Sequence, residues 1–227
     1  MTRNEIIAKD FDRIALTGDK KWDHNRFYHE YLLNHLPAHM ERVLDIGCGT
    51  GEFSRLLSKY AGEVIALDIS EEMLAKARSM ASQLTNITYV KADFMSYDIE
   101  PESYDSIVTI ATAHHLPIEE FFIKAAMALK PGGSLIVLDL FLSCDIMDYL
   151  FDFLSVPLNI LAGLIKTGHL KESQEERSAW QEHQKNDTYM TLKDIQRIAD
   201  MIIAGAEIKR LLFWRYSLVW KKDNFIN

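Results

Sequence analysis

Val43-Leu44-Asp45-Ile46-Gly47-Cys48-Gly49-Thr50-Gly51 is the stretch that decides the fold. Val43, Leu44 and Ile46 suit a parallel strand covered on both faces. Gly47, Gly49 and Gly51 then allow a sharp turn and a close approach of backbone to a ligand. Phe53, Leu56, Leu57 and Tyr60 follow at helical spacing. A glycine-rich loop between strand and helix is a nucleotide-type site at the carboxyl end of a sheet. The spacing here is G-x-G-x-G, not the G-x-G-x-x-G of dinucleotide sites. Asp45 stands two residues before the first glycine. A carboxylate there repels a pyrophosphate and suits a ligand that carries an ammonium group.

Working outward, Glu63 to Asp68 reads as a second strand whose last residue is an acid 17 positions beyond Gly51. That is close to the offset of about 20 residues at which an acid accepts hydrogen bonds from ribose hydroxyls. Ser70 is a good helix cap, Glu71 and Glu72 complement the positive helix end, and Met73, Leu74 and Ala77 form its inner face. A third strand, Ile87 to Phe94, again ends on an acid and an aromatic, Asp93 and Phe94. A fourth, Tyr104 to Ile110, runs into Ala111-Thr112-Ala113-His114-His115-Leu116. Imidazole titrates near neutral pH, so one of these histidines can serve as a base toward an acceptor hydroxyl or amine. The alternative is that one histidine holds the loop while the other packs. Leu129 to Asp139 reads as a Pro-Gly-Gly turn and a fifth strand. Thr191-Leu192-Lys193-Asp194 caps a helix ending by Gly205, and two strands close the chain, 206–213 and 215–221. Arg215 follows the connection between them, as a surface residue or one facing the segment at 142–187.

Two segments stand outside this alternation. Residues 4–37 carry two amphipathic helical series, read either as packing on the sheet or as a cap in which Trp22, His24, Tyr28 and His29 face a substrate. The segment from Phe141 to Lys166 is heavily apolar but interrupted by Asp145, Asp148, Asp152 and Pro157. It is too broken to span a bilayer. Helices through 142–187 would turn this apolar face either toward a pocket or into a homodimer interface.

With 33 acidic against 25 basic residues, the net charge of −8 argues against nucleic acid as a partner. The two isolated cysteines suggest neither a disulfide framework nor a zinc site, and the charged first ten residues lack a signal-peptide pattern. The cytoplasm is the default compartment. No clustered acids suggest a metal.

The Asp45–Gly51 string resembles motif I of the class I S-adenosylmethionine-dependent methyltransferases, written E/D-x-G-x-G-x-G. The fourth strand and its histidine loop resemble the FD-x-V…LHH stretch of the small-molecule members, and Leu129 to Gly133 resembles their LKPGG element. The resemblance covers Glu41 to Asp139 well and Ala206 to Lys221 moderately. It implies a doubly wound α/β fold: a seven-stranded, mostly parallel sheet with an antiparallel last strand. Around a core at 41–140 it implies an N-terminal helical cap (1–40), a helical lid insertion (141–190), and a last helix with the final strand pair (191–227), all in one domain. It implies S-adenosylmethionine as cofactor, contacted by Asp45, Gly47, Cys48, Gly49, Gly51, Asp68, Ile69, Met73, Asp93, Phe94 and Ala111, with Asp93 and Phe94 at the adenine. His114 and His115 become catalytic candidates that, with Trp22, His24 and Tyr28, also bind substrate. The expected activity is methyl transfer to an oxygen or nitrogen of a small, partly apolar metabolite. A quinone-ring carbon methyltransferase and a non-catalytic cofactor-binding protein are the alternatives.

Overall fold

The computed structural model describes residues 2–17, 24–167, 178, 180–183 and 187–224. Three short helices, α1 (Arg3–Leu16), α2 (His24–Phe27) and α3 (His29–Leu33), precede β1 (Met40–Ile46). Strand–helix alternation follows through α4 (Glu52–Leu57), β2 (Ala61–Asp68), α5 (Glu71–Met80), β3 (Ile87–Lys91), β4 (Tyr104–Ile110), α6 (Ile118–Ala128) and β5 (Leu129–Leu140). Then come α7 (Ile146–Thr167), α8 (Leu192–Ile202), β6 (Glu207–Arg210) and β7 (Arg215–Lys221). The sheet order is β3-β2-β1-β4-β5-β7-β6. β1 to β5 run parallel, and β7 is antiparallel to both β5 and β6. The order reverses between β1 and β4, which makes that junction the switch point where such sheets bind ligands.

The pleat explains how continuous apolar strands serve two cores. Leu44, Ile46, Ile65, Leu67, Ile107, Leu135 and Val137 face one side, where Phe121 and Phe122 of α6 and Ile195 and Ile198 of α8 cover them. Val43, Val64, Val108, Ile136 and Leu138 face the other, beneath Tyr28, Leu32, Phe53 and Leu57. Asp45 shares the parity of Val43, so the pleat turns it toward α4.

β3 stops at Lys91, so Asp93 and Phe94 lie in the following turn and not in the strand. The turn forms because Asp93 Oδ1 accepts the Met95 amide at 3.0 Å. The final hairpin also departs from the expected pair of long strands, since β6 is only four residues. Its connection carries two successive left-handed residues, Phe213 (φ 59°) and Trp214 (φ 58°), where glycine or asparagine is usual. Such strain costs on the order of 1 kcal/mol or more per residue. Packing offsets it: Phe213 is buried against Phe27 and His24, and its amide donates to Ser155 Oγ at 2.8 Å.

α7 docks by polar groups. Asp148 caps the Cys144 and Asp145 amides and pairs with Arg210 at 2.6 Å, Ser155 takes the Phe213 amide, and Asn159 meets His24 at 2.9 Å. Asp148, Ser155 and Asn159 share one helix face. Ile146 and Phe153 are 85% and 75% exposed, so a large apolar flank of this helix faces away from the body. Among the described residues, no helix is long and apolar enough to cross a membrane.

Candidate active site

The glycine loop leaves β1 with φ of +69° at Gly47, +53° at Gly49 and +70° at Gly51. These glycines have different neighbours. A Cβ on Gly47 would lie 2.1 Å from Thr112 Oγ1, so the loops after β1 and β4 meet there without room for a side chain. A Cβ on Gly51 would strike the Tyr89 hydroxyl at 2.4 Å. A Cβ on Gly49 would meet nothing within 4 Å. Gly49 therefore faces the open cradle into which a ligand can enter. Cys48 is pinned beside it by its amide bond to Leu67 O at 2.9 Å, and burial raises its thiol well above the ordinary range.

Asp68, at the carboxyl end of β2, holds the loop. Its Oδ2 accepts the Gly49 amide and its Oδ1 the Ser70 amide, both at 2.8 Å. Burial raises its pKa, opposed by these amides. Each carboxylate oxygen has a second lone pair, so two further donors can be accepted on the cradle side. Ile69 is half-buried next to it, and Met73 is buried against Ile14 and Ala15 of α1.

Asp45 is 2% exposed and accepts the Ser54 hydroxyl at 2.5 Å. Burial foremost, opposed by Ser54 and aided by the neighbouring charge of Asp68, raises its pKa to about 7. Its carboxyl thus shares a proton-poised position under the loop. Asp93 Oδ2 takes the Asn4 side-chain amide at 2.9 Å, and Phe94 is buried against Phe121. Ala111 holds φ +51° at the end of β4, its amide bonded to Leu138 O at 2.8 Å. A non-glycine residue held in this region marks a site the surrounding structure over-determines.

The histidine loop is a single 3₁₀ turn, Ala113–His115. Asp139 of β5 receives the His114 amide on Oδ2 and meets His114 Nδ1 with Oδ1, both at 2.7 Å. A carboxylate only accepts, so in the neutral ring the hydrogen sits on Nδ1 and Nε2 carries the lone pair. Burial opposes charge on His114, but Asp139 and then Asp187 outweigh it and raise its pKa. His115 behaves oppositely: burial, then His114 and His183, push it down to about 2. It is a neutral ring.

Around this pair the chain assembles residues that no local motif announces. Asp187 Oδ1 is 3.6 Å from His115 Nδ1, and its Oδ2 is 4.0 Å from His114 Nε2. The Tyr189 hydroxyl donates to Asp187 Oδ2 at 2.7 Å. His183 Nε2 lies 3.7 Å from Asp187 Oδ1. Arg215, read ambiguously from sequence, is 8% exposed and donates to Asn25 Oδ1 at 2.9 Å.

The roof over both ends is α1. Asn4 reaches Asp93, and Asp12 accepts the Ser70 hydroxyl at 2.6 Å. Phe11 packs edge-on against His115 and tilts against His183, and Asp10 is 3.5 Å from His183. Covering side chains are also expected from the sequence at Trp22, His24 and Tyr28. Trp22 lies outside the described residues. His24 stacks near Phe213 and Trp214 and meets Asn159, while the Tyr28 hydroxyl donates to Leu212 O at 3.0 Å. The only signals α1 offered in sequence were polar residues at the edge of an amphipathic helix.

Comparison with known proteins follows the same lines. A family model described as a methyltransferase domain matches residues 43–133. A sterol 24-C-methyltransferase of Candida albicans is 34% identical over 113 residues, covering 46% of this chain and 30% of the relative. The chain thus spans less than a third of that relative's length. An uncharacterized methyltransferase of Mycobacterium tuberculosis is 26% identical over 204 residues, covering 89% of this chain and 98% of the relative. Among solved structures, phosphoethanolamine N-methyltransferase 1 of Haemonchus contortus, in complex with phosphoethanolamine and S-adenosylhomocysteine, superposes with a TM-score of 0.68 at 16% identity. That match covers 100% of this chain and 51% of the other.

Proposed function

Because the chain carries a class I S-adenosylmethionine-dependent methyltransferase domain, we propose that it transfers the methyl group of S-adenosylmethionine to an oxygen or nitrogen of a small, partly apolar metabolite. The observation that carries this reading is the cradle itself: open space at Gly49 beside the Asp68 carboxylate, with Asp45 beneath. A phosphate-free cofactor with a ribose and an amino-acid ammonium fits this set. Asp68 accepts the ribose hydroxyls, Asp45 lends negative charge toward the ammonium, and Asp93 with the Phe94 backbone meets the adenine. Loop residues Gly47, Cys48, Gly51 and Ala111, with Ile69 and Met73, shape the walls.

S-adenosylmethionine supplies an activated methyl on sulfur, and the displacement is in line. The chain's work is therefore to position the acceptor's lone pair about 3–3.5 Å from the methyl carbon and to exclude water. Thr112 against Gly47 supports a short path from the cofactor loop to His114 and His115. Those two rings, with Asp187, form the polar wall that receives the acceptor. Phe11 supports water exclusion by packing over it. The apolar flank of α7 supports an acceptor of partly apolar character, with a homodimer through α7 as the other reading of that surface. The names of the relatives span a carbon and a nitrogen acceptor, so the acceptor atom rests on the site's polar wall alone.

The test is transfer from methyl-labelled S-adenosylmethionine to a panel of hydroxyl-, carboxyl-, amine- and quinol-bearing metabolites, with label counted in extracted product. Turnover on an oxygen or nitrogen acceptor is expected. Label appearing on ring carbon, or no turnover with any member of the panel, would overturn the assignment of the acceptor class.

A further inference from the structure

We propose that His114, His115 and Asp187 form a binding site for one divalent first-row transition-metal ion, of the zinc, manganese, iron or cobalt type, at the acceptor end of the cleft. This rests on the functional reading above only for what the ion would do, not for whether it binds. The sequence shows no metal cluster, because the ligands lie on two stretches more than 70 residues apart, the turn at 113–115 and Asp187.

Four observations converge. First, one ligand atom from each of His114, His115 and Asp187 can be chosen so that all lie within 4.8 Å of one another. Second, their closest approaches are 3.6 Å from His115 to Asp187 and 4.0 Å from His114 to Asp187. These are too long for hydrogen bonds. Ligand atoms bonded at about 2.0–2.2 Å around a tetrahedral ion stand roughly 3.4 Å apart, so the set closes on an ion by a contraction of at most about 1.4 Å at its widest pair.

Third, the atoms facing one another are buried and lack partners. His115, with a side chain 6% exposed, has neither ring nitrogen hydrogen-bonded, and Asp187 Oδ1 is likewise unsatisfied. Native interiors seldom leave such atoms unpaired. A cation satisfies a nitrogen lone pair and a carboxylate oxygen at once.

Fourth, the outer partners are those that metal ligands use. His114 gives its other ring nitrogen to Asp139 at 2.7 Å, which leaves Nε2 as the donor to the ion. Asp187 is oriented by the Tyr189 hydroxyl at 2.7 Å. His183 also approaches Asp187, at 3.7 Å, with Asp10 at 3.5 Å from its far nitrogen. His183 thus borders the cluster without being one of its three ligands. Phe11 and Trp180 pack beside these rings and lower the local polarity.

Two imidazoles and one carboxylate select a transition ion over magnesium or calcium, which prefer all-oxygen sets. Three firm protein ligands leave a position for an exchangeable oxygen. An acceptor hydroxyl or carboxylate is the natural occupant, and a bound hydroxyl loses its proton more readily.

The experiment uses the untagged full chain, stripped with a chelator and titrated with cobalt(II) and zinc(II). Cobalt is followed by its visible absorption and zinc by calorimetry and by elemental analysis after desalting. One ion per chain is expected, with micromolar or tighter affinity. His115→Ala and the near-isosteric Asp187→Asn should each weaken it at least a hundredfold, with far-ultraviolet dichroism unchanged. Less than a tenth of an ion per chain in the wild type overturns the site, as does binding that neither variant weakens. S-adenosylmethionine titrated into the same stripped protein tests the cofactor reading separately: retained cofactor binding without ion binding sinks the metal site alone.

Discussion

The two ends of the cleft are built from the same kinds of side chain and treat them in opposite ways. At the cofactor end the acids, buried Asp45 and Asp68 and half-buried Asp93, are partnered. Asp68 holds two loop amides, Asp45 holds Ser54, and Asp93 holds the Met95 amide and Asn4. At the acceptor end His115 and Asp187 keep buried atoms unpaired, although Asp139 and Tyr189 brace their neighbourhood. A satisfied acid is a fixed part of the scaffold, so it can present its remaining lone pairs at a set position. An unsatisfied group is a demand on whatever enters. The first kind of site is organised before its ligand arrives; the second is completed by it.

The variant that most directly breaks the organised end is Asp68→Ala. It removes the ribose acceptor and orphans the Gly49 and Ser70 amides. Affinity for S-adenosylmethionine is expected to fall at least a hundredfold, about 3 kcal/mol, by calorimetry. Unchanged affinity would remove Asp68 from the cofactor site.

The glycines sharpen the comparison within the loop. Gly47→Ala meets Thr112 and a φ of +69°, and is expected to lower stability by about 2–4 kcal/mol in denaturant unfolding. Gly49→Ala meets only the backbone strain, about 1 kcal/mol. It should weaken the cofactor more than it weakens the fold. Equal losses of stability in the two variants would show that Gly49 does not face a cradle.

Asp45 supplies a pH signature. Its folded-state pKa is raised, so its contribution to stability is full below the ordinary carboxylate range, near pH 3.8, and is lost as pH rises toward about 7. Attraction to an ammonium runs the other way, because it needs the ionised form. S-adenosylmethionine affinity should therefore weaken by up to about tenfold per unit below pH 7, measured against Asp45→Asn, in which the dependence flattens. An identical pH profile in that variant would place the ammonium elsewhere.

The smallest effect is expected at Ala111→Gly. Relief of the left-handed strain at φ +51° slightly exceeds the entropy cost of glycine, so thermal stability should rise by less than about 1 kcal/mol. A loss of stability would mean that the Ala111 side chain contributes packing that outweighs the strain.

Local and periodic features were legible in sequence. The glycine loop, the acid ending β2, the Pro-Gly-Gly turn and the strand–helix alternation each lie within about ten residues of their signal. The sheet order then follows from right-handed crossovers. What was illegible was non-local. Asp10, His114, Asp139, His183 and Asp187 share no motif, and only the fold brings the roof helix, His183, Asp187 and Tyr189 to the turn after β4. Tyr28 illustrates the difficulty: its aromatic series has helical spacing, yet it sits at the break between α2 and α3 and its hydroxyl donates to the Leu212 carbonyl. Asp93 opens a turn instead of ending a strand because its own side chain takes the Met95 amide.

The central claim is that the loop after β1 is an S-adenosylmethionine site. It is tested most directly by calorimetry of the wild-type chain with S-adenosylmethionine and, separately, with NAD. The account predicts micromolar, one-to-one binding of the first and none of the second. Binding of NAD alone, or no heat with either, would contradict it.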